Sequence, residues 1–471
     1  MLNKLLLYWR GNAPVSTTQA GPGAANSLTA QGLAAFQSGD HQRAETAFRA
    51  AYAADSNNPV YAFHLASALC GLGRVGEAAP LAWQAFSQTP SDSNFMGCMK
   101  YITCNLGLTG DSAVAAAPWN QVAAGNALRN QGQFEEAETA YRAALTAMPE
   151  NLFLLGRVGA ILCNQGRFAE SAPYFRAASA AGLMPDGMLN FDAARLARLA
   201  QSAAWKRASA PVLPALRHAA RGEFVFLLSC DSVYFERYAA ALVNSVGRNA
   251  GIECTMHFHV INPVARVFEI AQSLATRHAR VDLVLTQEAA DTAAQTTPKL
   301  LYACARFILL PALMDHYRKP VFVLDMDALV MRNLSGLLCA VAGHSAAVPV
   351  VNQGRGEPTE ILWAALVYFS TEPSARTLAV LVANYILEEI AEGRGFWFLD
   401  QAALLAMVAH SKSTPGCDVL LMPDRVLQCT DNPAPPNPVA DEIDGCFWTV
   451  AASVPAHAGR IEHPAFRAYC D

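Results

Sequence analysis

The segment VFVLDMDALV, Val321 to Val330, runs an apolar, β-type stretch into two aspartates one residue apart. In an extended chain the side chains at i and i+2 point to one side, so Asp325 and Asp327 are expected to converge while Met326 packs the other way. Two carboxylates leaving a buried strand repel each other and lose hydration, at a cost of several kcal/mol unless something compensates them. A divalent cation with oxygen ligands would do so. The same cation can hold a nucleotide diphosphate and neutralise the charge that builds on it as a leaving group. The simpler alternative is a pair of capping or loop aspartates after an ordinary strand.

The elements that must position this pair are visible around it. From Gly222 onward, EFVFLLSCD, CTMHFHVIN, RVDLVLT, KPVFVLDMD and HSAAVPVV are short apolar, β-branched or aromatic runs separated by helical stretches. That alternation predicts an α/β domain with a largely parallel sheet. Ligands of such sheets gather at the carboxyl ends of the strands, where Asp231 closes the first run and Asp325 the fourth. Asp231 is expected either to contact a ligand or to cap the helix beginning near Val233. Arg306, on the apolar stretch CARFILL, suits orientation of a diphosphate or of the acidic pair. Asp400, just before QAALLAMV, can cap that helix, touch a ligand, or do both. His257 and His259 alternate along a strand and are expected to be ordinary sheet residues.

At 471 residues the chain needs at least two cores. Its 53% hydrophobic and 15% charged residues are those of a packed globular protein, and a formal charge of −5 argues against a general nucleic-acid binder. Twelve cysteines without CxxC pairs or zinc-type Cys/His spacing read as small buried hydrophobes in a reducing compartment, which predicts a cytoplasmic protein. The opening MLNKLLLYWRG is too short in its apolar run for a secretory signal. No segment offers about 18 consecutive apolar residues, so no bilayer span is expected; a peripheral membrane association is left open.

The first half repeats itself. Gly32, Ala44, Phe48 and Ala51 recur as Ala66, Ala78, Ala82 and Ala85, each thirty-four positions later, with Pro90 closing the unit. The pattern returns as Gly125, Ala137, Tyr141, Ala144 and Pro149, and again as Gly159, Ser171, Phe175 and Ala178. Between Ala66 and Gly125 the offset is fifty-nine, which implies a short or degenerate middle unit. This resembles the tetratricopeptide repeat, a helix–turn–helix unit in which small residues permit close helix contact and the aromatic fills the gap. The expected organisation is a flexible N-terminus over 1–25, a repeat solenoid over 26–185, a helical linker over 186–220 broken near Pro211 and Pro214, and an α/β domain over 221–471.

The stretch LYACARFILLPALMDHYRKPVFVLDMDALVMRNLSGL resembles the core of GT-A fold glycosyltransferases, particularly the retaining family 8 group that includes glycogenin and bacterial galactosyl- and glucosyltransferases. The matching residues are Tyr302, Arg306, Asp325, Asp327 and Leu334. FLLSCDSVYFERYAAALVNSV is similar to the family's first strand and helix, which implies contact of Asp231 and Tyr234 with the nucleotide base. GFWFLDQAALLAMV is similar to its D-Q segment, which implies that Asp400 and Gln401 lie beside the reacting sugar. AHAGRIEHPAF is a looser match to a terminal signature whose histidine is a third metal ligand. His457 takes that place, His463 stands where a lysine touches the diphosphate, and Lys299 is a substitute for that contact. EILWAALVYF departs from the family's asparagine-alanine-glycine element with Trp363, Ala364 and Ala365. The resemblance covers roughly residues 222–466.

It implies Mn²⁺ or Mg²⁺ on Asp325, Asp327 and His457, and a nucleotide sugar, UDP-linked by resemblance, held by Asp231, Tyr234, Lys299, Tyr302, Arg306, Asp325 and Met326. Asp400, Gln401 and Arg306 would act on a hexose transferred with retention of configuration. Fusion to peptide-holding repeats makes a protein acceptor the leading expectation. A saccharide of cell-envelope synthesis and a non-catalytic scaffold with a degenerate transferase domain are the alternatives.

Overall fold

The computed structural model describes residues 23–90, 92–108, 117–180, 189–208, 213–216, 222–290, 298–395, 397–433, 443–450 and 455–470. The chain divides into two compact units between Asp186 and Gly187.

The first unit is helical: α1 (Gly23–Gln37), α2 (His41–Ala54), α3 (Pro59–Gly71), α4 (Val75–Gln88), α5 (Ser93–Asn105), α6 (Trp119–Gln131), α7 (Phe134–Ala147), α8 (Leu152–Asn164) and α9 (Phe168–Ala180). Consecutive helices pack as the pairs α1/α2, α3/α4, α6/α7 and α8/α9. A Cβ on Gly32 would lie 2.4 Å from the Phe48 ring, and one on Gly125 2.6 Å from Tyr141. One on Gly159 would meet Phe175 at 3.0 Å. The repeat period therefore marks a ring seated on bare helix backbone. Where the ring is missing, at Ala82, the glycine is missing too, its place taken by Ala66. Each pair turns through a glycine with positive φ, at Gly39, Gly73, Gly132 and Gly166, a conformation glycine adopts without steric cost. Helix α5 stands between the second and third pairs, which accounts for the broken spacing. Its end is tied down from the next pair: Asn126 Nδ2 donates to the carbonyls of Thr103 (3.0 Å) and Leu106 (2.8 Å), and the Tyr141 hydroxyl donates to Asn126 Oδ1 (2.6 Å).

The second unit opens with α10 (Ala193–Gln201), α11 (Ala204–Ala208) and β1 (Leu213–Leu216). Its other strands are β2 (Phe224–Asp231), β3 (Cys254–Ile261), β4 (Val281–Glu288), β5 (Val321–Leu324), β6 (Ala328–Val330), β7 (Ala346–Val350), β8 (Leu366–Phe369), β9 (Val419–Pro423), β10 (Leu427–Gln428) and β11 (Phe447–Thr449). Between them run α12 (Ser232–Asn249), α13 (Ala265–Leu274), α14 (Pro298–Tyr317), α15 (Ser335–Val341), α16 (Pro373–Ala391) and α17 (Leu399–Ser413). The main sheet has the order β1-β4-β3-β2-β5-β8-β7-β9. Strands β4, β3, β2 and β5 are parallel as the alternating sequence predicts, whereas β8 and the edge strand β1 run antiparallel to their neighbours. The mixed sheet is thus part of an α/β domain behind a helical repeat region. A small second sheet, β10-β11-β6, stands beside it.

The residues expected as a linker pack on this unit. Arg195 pairs with Glu388 (2.8 Å) and with the fully buried Glu389 (2.5 Å) of α16. Asn384 accepts from the Trp205 backbone N–H and donates to the carbonyls of Leu199 and Ser202, while the Trp205 ring packs on Val380 and Ala383. His257 and His259 are sheet residues as expected. His257 lies between the Tyr317 hydroxyl (2.7 Å) and Thr286 Oγ1 (2.9 Å), and burial lowers its pKa to about 3. His259 contacts Thr286 and Glu288. Among the described residues no helix is long and apolar enough to cross a membrane.

Gly125→Ala should destabilise the repeat unit by about 1–3 kcal/mol through overpacking against a ring that cannot withdraw. In a Tyr141→Ala background the same change should cost little, and a double-mutant cycle in urea measures the coupling.

Candidate functional site

Chain order and strand order together place a crevice. The chain steps from β2 to β3 to β4 in one direction, then returns to place β5 on the other side of β2. Connections therefore leave the carboxyl ends of β2 and β5 in opposite directions, and such a switch point opens a cleft for ligands. Strand β2 ends in Asp231 and β5 is followed at once by Asp325.

The acidic pair is not on an extended strand. The backbone N–H of Ala328 donates to the carbonyl of Asp325 (3.3 Å), so Asp325 to Ala328 form a turn between β5 and β6. This corrects the expected i, i+2 alternation: β6 must swing away to pair with β11, and the chain bends to reach it. The turn is pinned on both sides. Asp325 N–H donates to the Ala365 carbonyl (3.0 Å), and Val450 N–H donates to that of Asp327 (2.7 Å). Met326 is buried in the core.

Arg306, on α14, is 3% exposed. Its Nη1 pairs with Asp325, and its Nη2 lies 3.6 Å from Asp400 Oδ2. Burial works against its charge, but Asp325 and Asp400 outweigh that and hold it protonated. Asp400, in the first turn of α17, accepts the Gln401 backbone N–H (2.9 Å). Burial pushes its carboxyl up to about 6, against the pull of Arg306 and with the push of Asp325. Two further atoms of this cluster are buried without a hydrogen-bond partner among the described residues, Arg306 Nε and Gln401 Oε1. Buried polar atoms are seldom left so, and perturbed carboxyls gather at functional sites.

Of the remaining candidates, some have described side chains and others do not. Asp231 caps α12 by accepting from Tyr234 N–H (2.8 Å). The Tyr302 carbonyl accepts from Ser229 Oγ on β2 (2.7 Å). Leu334 is buried and its N–H donates to the Ala250 carbonyl (3.0 Å). Trp363 N–H donates to the Pro349 carbonyl, and Ala364 is buried. His463 caps α18 (Pro464–Arg467) through Nδ1 and meets the Trp448 ring edge-on at 5.7 Å. His457 belongs to the 3₁₀ segment Pro455–Glu462 and Lys299 to α14, but both side chains lie outside the described residues. Sequence reasoning passed over Ala365, whose role is carried by its carbonyl.

Among the described residues no three His, Cys, Asp or Glu side chains are gathered to hold a metal ion. The Asp325 and Asp327 carboxylates fit the other mode of cation binding, in which one or two protein carboxylates act together with phosphate oxygens of a ligand.

The tetratricopeptide repeat model matches residues 21–93 and 122–185. The helical pairs are therefore tetratricopeptide repeats, and the unmatched interval holds most of α5. No curated protein matches the chain. Solved structures with partial likeness include the apo form of the WbbM bifunctional glycosyltransferase, at 18% identity over 50% of this chain and 47% of that one, with a TM-score of 0.35. Mouse xyloside xylosyltransferase 1, also apo, is 12% identical over 50% of this chain and 98% of its own, with a TM-score of 0.31. A mutant of the Thermobaculum terrenum O-GlcNAc transferase is 15% identical over 60% of this chain and 44% of that chain, with a TM-score of 0.19. The chain spans about half the length of the first of these. With TM-scores below 0.5, none of these likenesses bears on the chemistry of the site.

The Asp400 shift has a testable sign. Its folded pKa, about 6, lies above the ordinary 3.8, so its contribution is fully present below pH 3.8 and lost as pH rises through about 6. Between pH 4 and 7, unfolding free energies of Asp400→Asn should therefore move in the variant's favour relative to wild type, by about 3 kcal/mol. Parallel pH curves would refute the perturbed carboxyl.

Proposed function

We propose that the second unit is a glycosyltransferase that takes a hexose from a nucleotide sugar at the β2–β5 crevice. The observation that carries this reading is the cluster at the switch point: an acidic turn joined through buried Arg306 to Asp400, with Arg306 Nε and Gln401 Oε1 still unpartnered. A chain that buries charge and leaves its hydrogen bonds incomplete is prepared for a polar ligand. The resemblance of the motifs around Asp325, Asp327 and Asp400 to family 8 supports a UDP-linked donor and retention of configuration.

In this reading Asp231 and Tyr234 flank the base, while Tyr302, Met326 and Lys299 line the donor. Asp325 and Asp327 would hold Mn²⁺ or Mg²⁺, with His457 as the third ligand. The cation would supply neutralisation of the departing diphosphate. Arg306 pairs with Asp325 and orients it toward the crevice. Asp400, ionised above about pH 6, and the Gln401 carbonyl oxygen provide negative charge for the positive character that develops on the sugar. The acceptor is a protein or peptide presented by the tetratricopeptide groove, a proposal that rests on the fusion of the two units.

Release of nucleoside diphosphate from UDP-, GDP- and ADP-sugars, with Mn²⁺ or with chelator, tests this. One donor should be consumed, only with metal, and Asp327→Asn should slow its consumption by roughly a hundredfold or more. Equal release by wild type and variant, or none with any donor and no nucleotide binding, would sink the reading.

A further inference from the structure

The end of β11 is gripped by a side chain outside the cluster around Arg306. Arg460, in the 3₁₀ segment Pro455–Glu462, is 3% exposed. Its Nη1 donates to the Thr449 carbonyl (3.0 Å), its Nη2 to the Cys429 carbonyl (2.6 Å) and its Nε to Asp431 Oδ1 (2.9 Å). One guanidinium thus joins three pieces of chain: the terminal segment, the residues that follow β10, and the last residue of β11. Asp431 is 74% exposed, so solvent weakens that pair, and the two carbonyls take up much of the buried charge.

The bond to Thr449 matters most, because of what the same peptide unit does on its other side. The Thr449 carbonyl and the Val450 N–H belong to one planar, resonant group. Its oxygen accepts from Arg460, and its N–H donates to the Asp327 carbonyl (2.7 Å). The turn that carries Asp327 is therefore a single peptide away from a buried cation. A charge-assisted bond at the oxygen draws electron density from the nitrogen and strengthens it as a donor, since linked hydrogen bonds polarise one another. Thr449 also stands opposite Ala328 in the β11–β6 register, so the grip acts where the acidic turn enters β6.

We propose that Arg460 is a positioning residue for Asp327: through the Thr449–Val450 peptide it fixes the turn that offers this carboxylate to a divalent cation and a nucleoside diphosphate. The proposal rests on the donor-site reading above. Arg460 itself touches no ligand. It is an outer partner of a group that does, and loss of such partners weakens metal binding by roughly ten- to hundredfold. Lysine is no substitute, because an ammonium lacks the planar fork that reaches two carbonyls and a carboxylate at once.

Calorimetric titration of the full chain with UDP, GDP and ADP, each with Mn²⁺ and with chelator, decides it. Arg460→Lys should hold the best-bound nucleotide about tenfold more weakly in Mn²⁺. Its affinity in chelator should match that of wild type, because the turn serves the cation; a general loss of folded protein would lower both alike. Asp431→Asn changes only the exposed partner of the guanidinium and is safe for the fold. It should weaken Mn²⁺-dependent binding about two- to threefold, and it decides alone if Arg460→Lys does not fold. Mn²⁺-dependent affinity equal to wild type in the folded variants, or an equal loss in Mn²⁺ and in chelator, would overturn the role of Arg460. With Asp327→Asn still losing Mn²⁺-dependent binding, the donor site would stand. No nucleotide binding by wild type would remove both.

Discussion

The second unit is organised around one buried positive charge. Arg306 sits in the apolar middle of α14 at 3% exposure, and a guanidinium in that position is tolerated only with carboxylates close by. Those carboxylates come from places far apart in the chain, the turn after β5 and the start of α17. To deliver Asp325, the turn must be held from behind by the Ala365 and Val450 backbones. To deliver Asp400, α17 must begin at the crevice, where burial of its first turn raises the carboxyl toward neutrality. Removing Arg306 would leave two acids facing each other with nothing between them, so the arginine is as much a condition of the turn as a feature of the site.

The first unit solves a different problem, with neutral parts. Its helices approach closely because a ring lies on a glycine, and the ring at Tyr141 also carries a hydroxyl that secures Asn126 and through it the end of α5. One side chain thus serves packing within a pair and continuity across the interrupted repeat.

Much of this was legible in the sequence for reasons that differ by residue. Gly32, Gly125 and Gly159 announced their partners because only a missing Cβ admits the ring, so position and chemistry were tied at a fixed interval. Asp325, Arg306 and Asp400 stood out because charge in an apolar context needs an explanation. The turn at Asp325–Ala328 did not, since it depends on β6 meeting β11, more than a hundred residues away. Nor did Ala365, which acts through a carbonyl that any residue could supply. The stretch from Ala193 to Leu216 looked like a connection because its amphipathic face gives no hint of which surface it covers.

That stretch bears on where the chain can be divided. A fragment beginning at residue 221 would bare Val380 and Ala383 where Trp205 now packs, strip the buried Glu389 of Arg195, and leave the Asn384 amide unbonded. It would also uncover the edge of β4 where β1 now lies, a row of open hydrogen-bonding groups that invites another chain to add itself. Arg195 in turn donates to the Asn190 carbonyl (2.8 Å). A fragment of the second unit that is to stay monomeric in solution therefore begins no later than about Leu189, and its natural seam lies at the end of the repeats, not at the first strand of the parallel sheet.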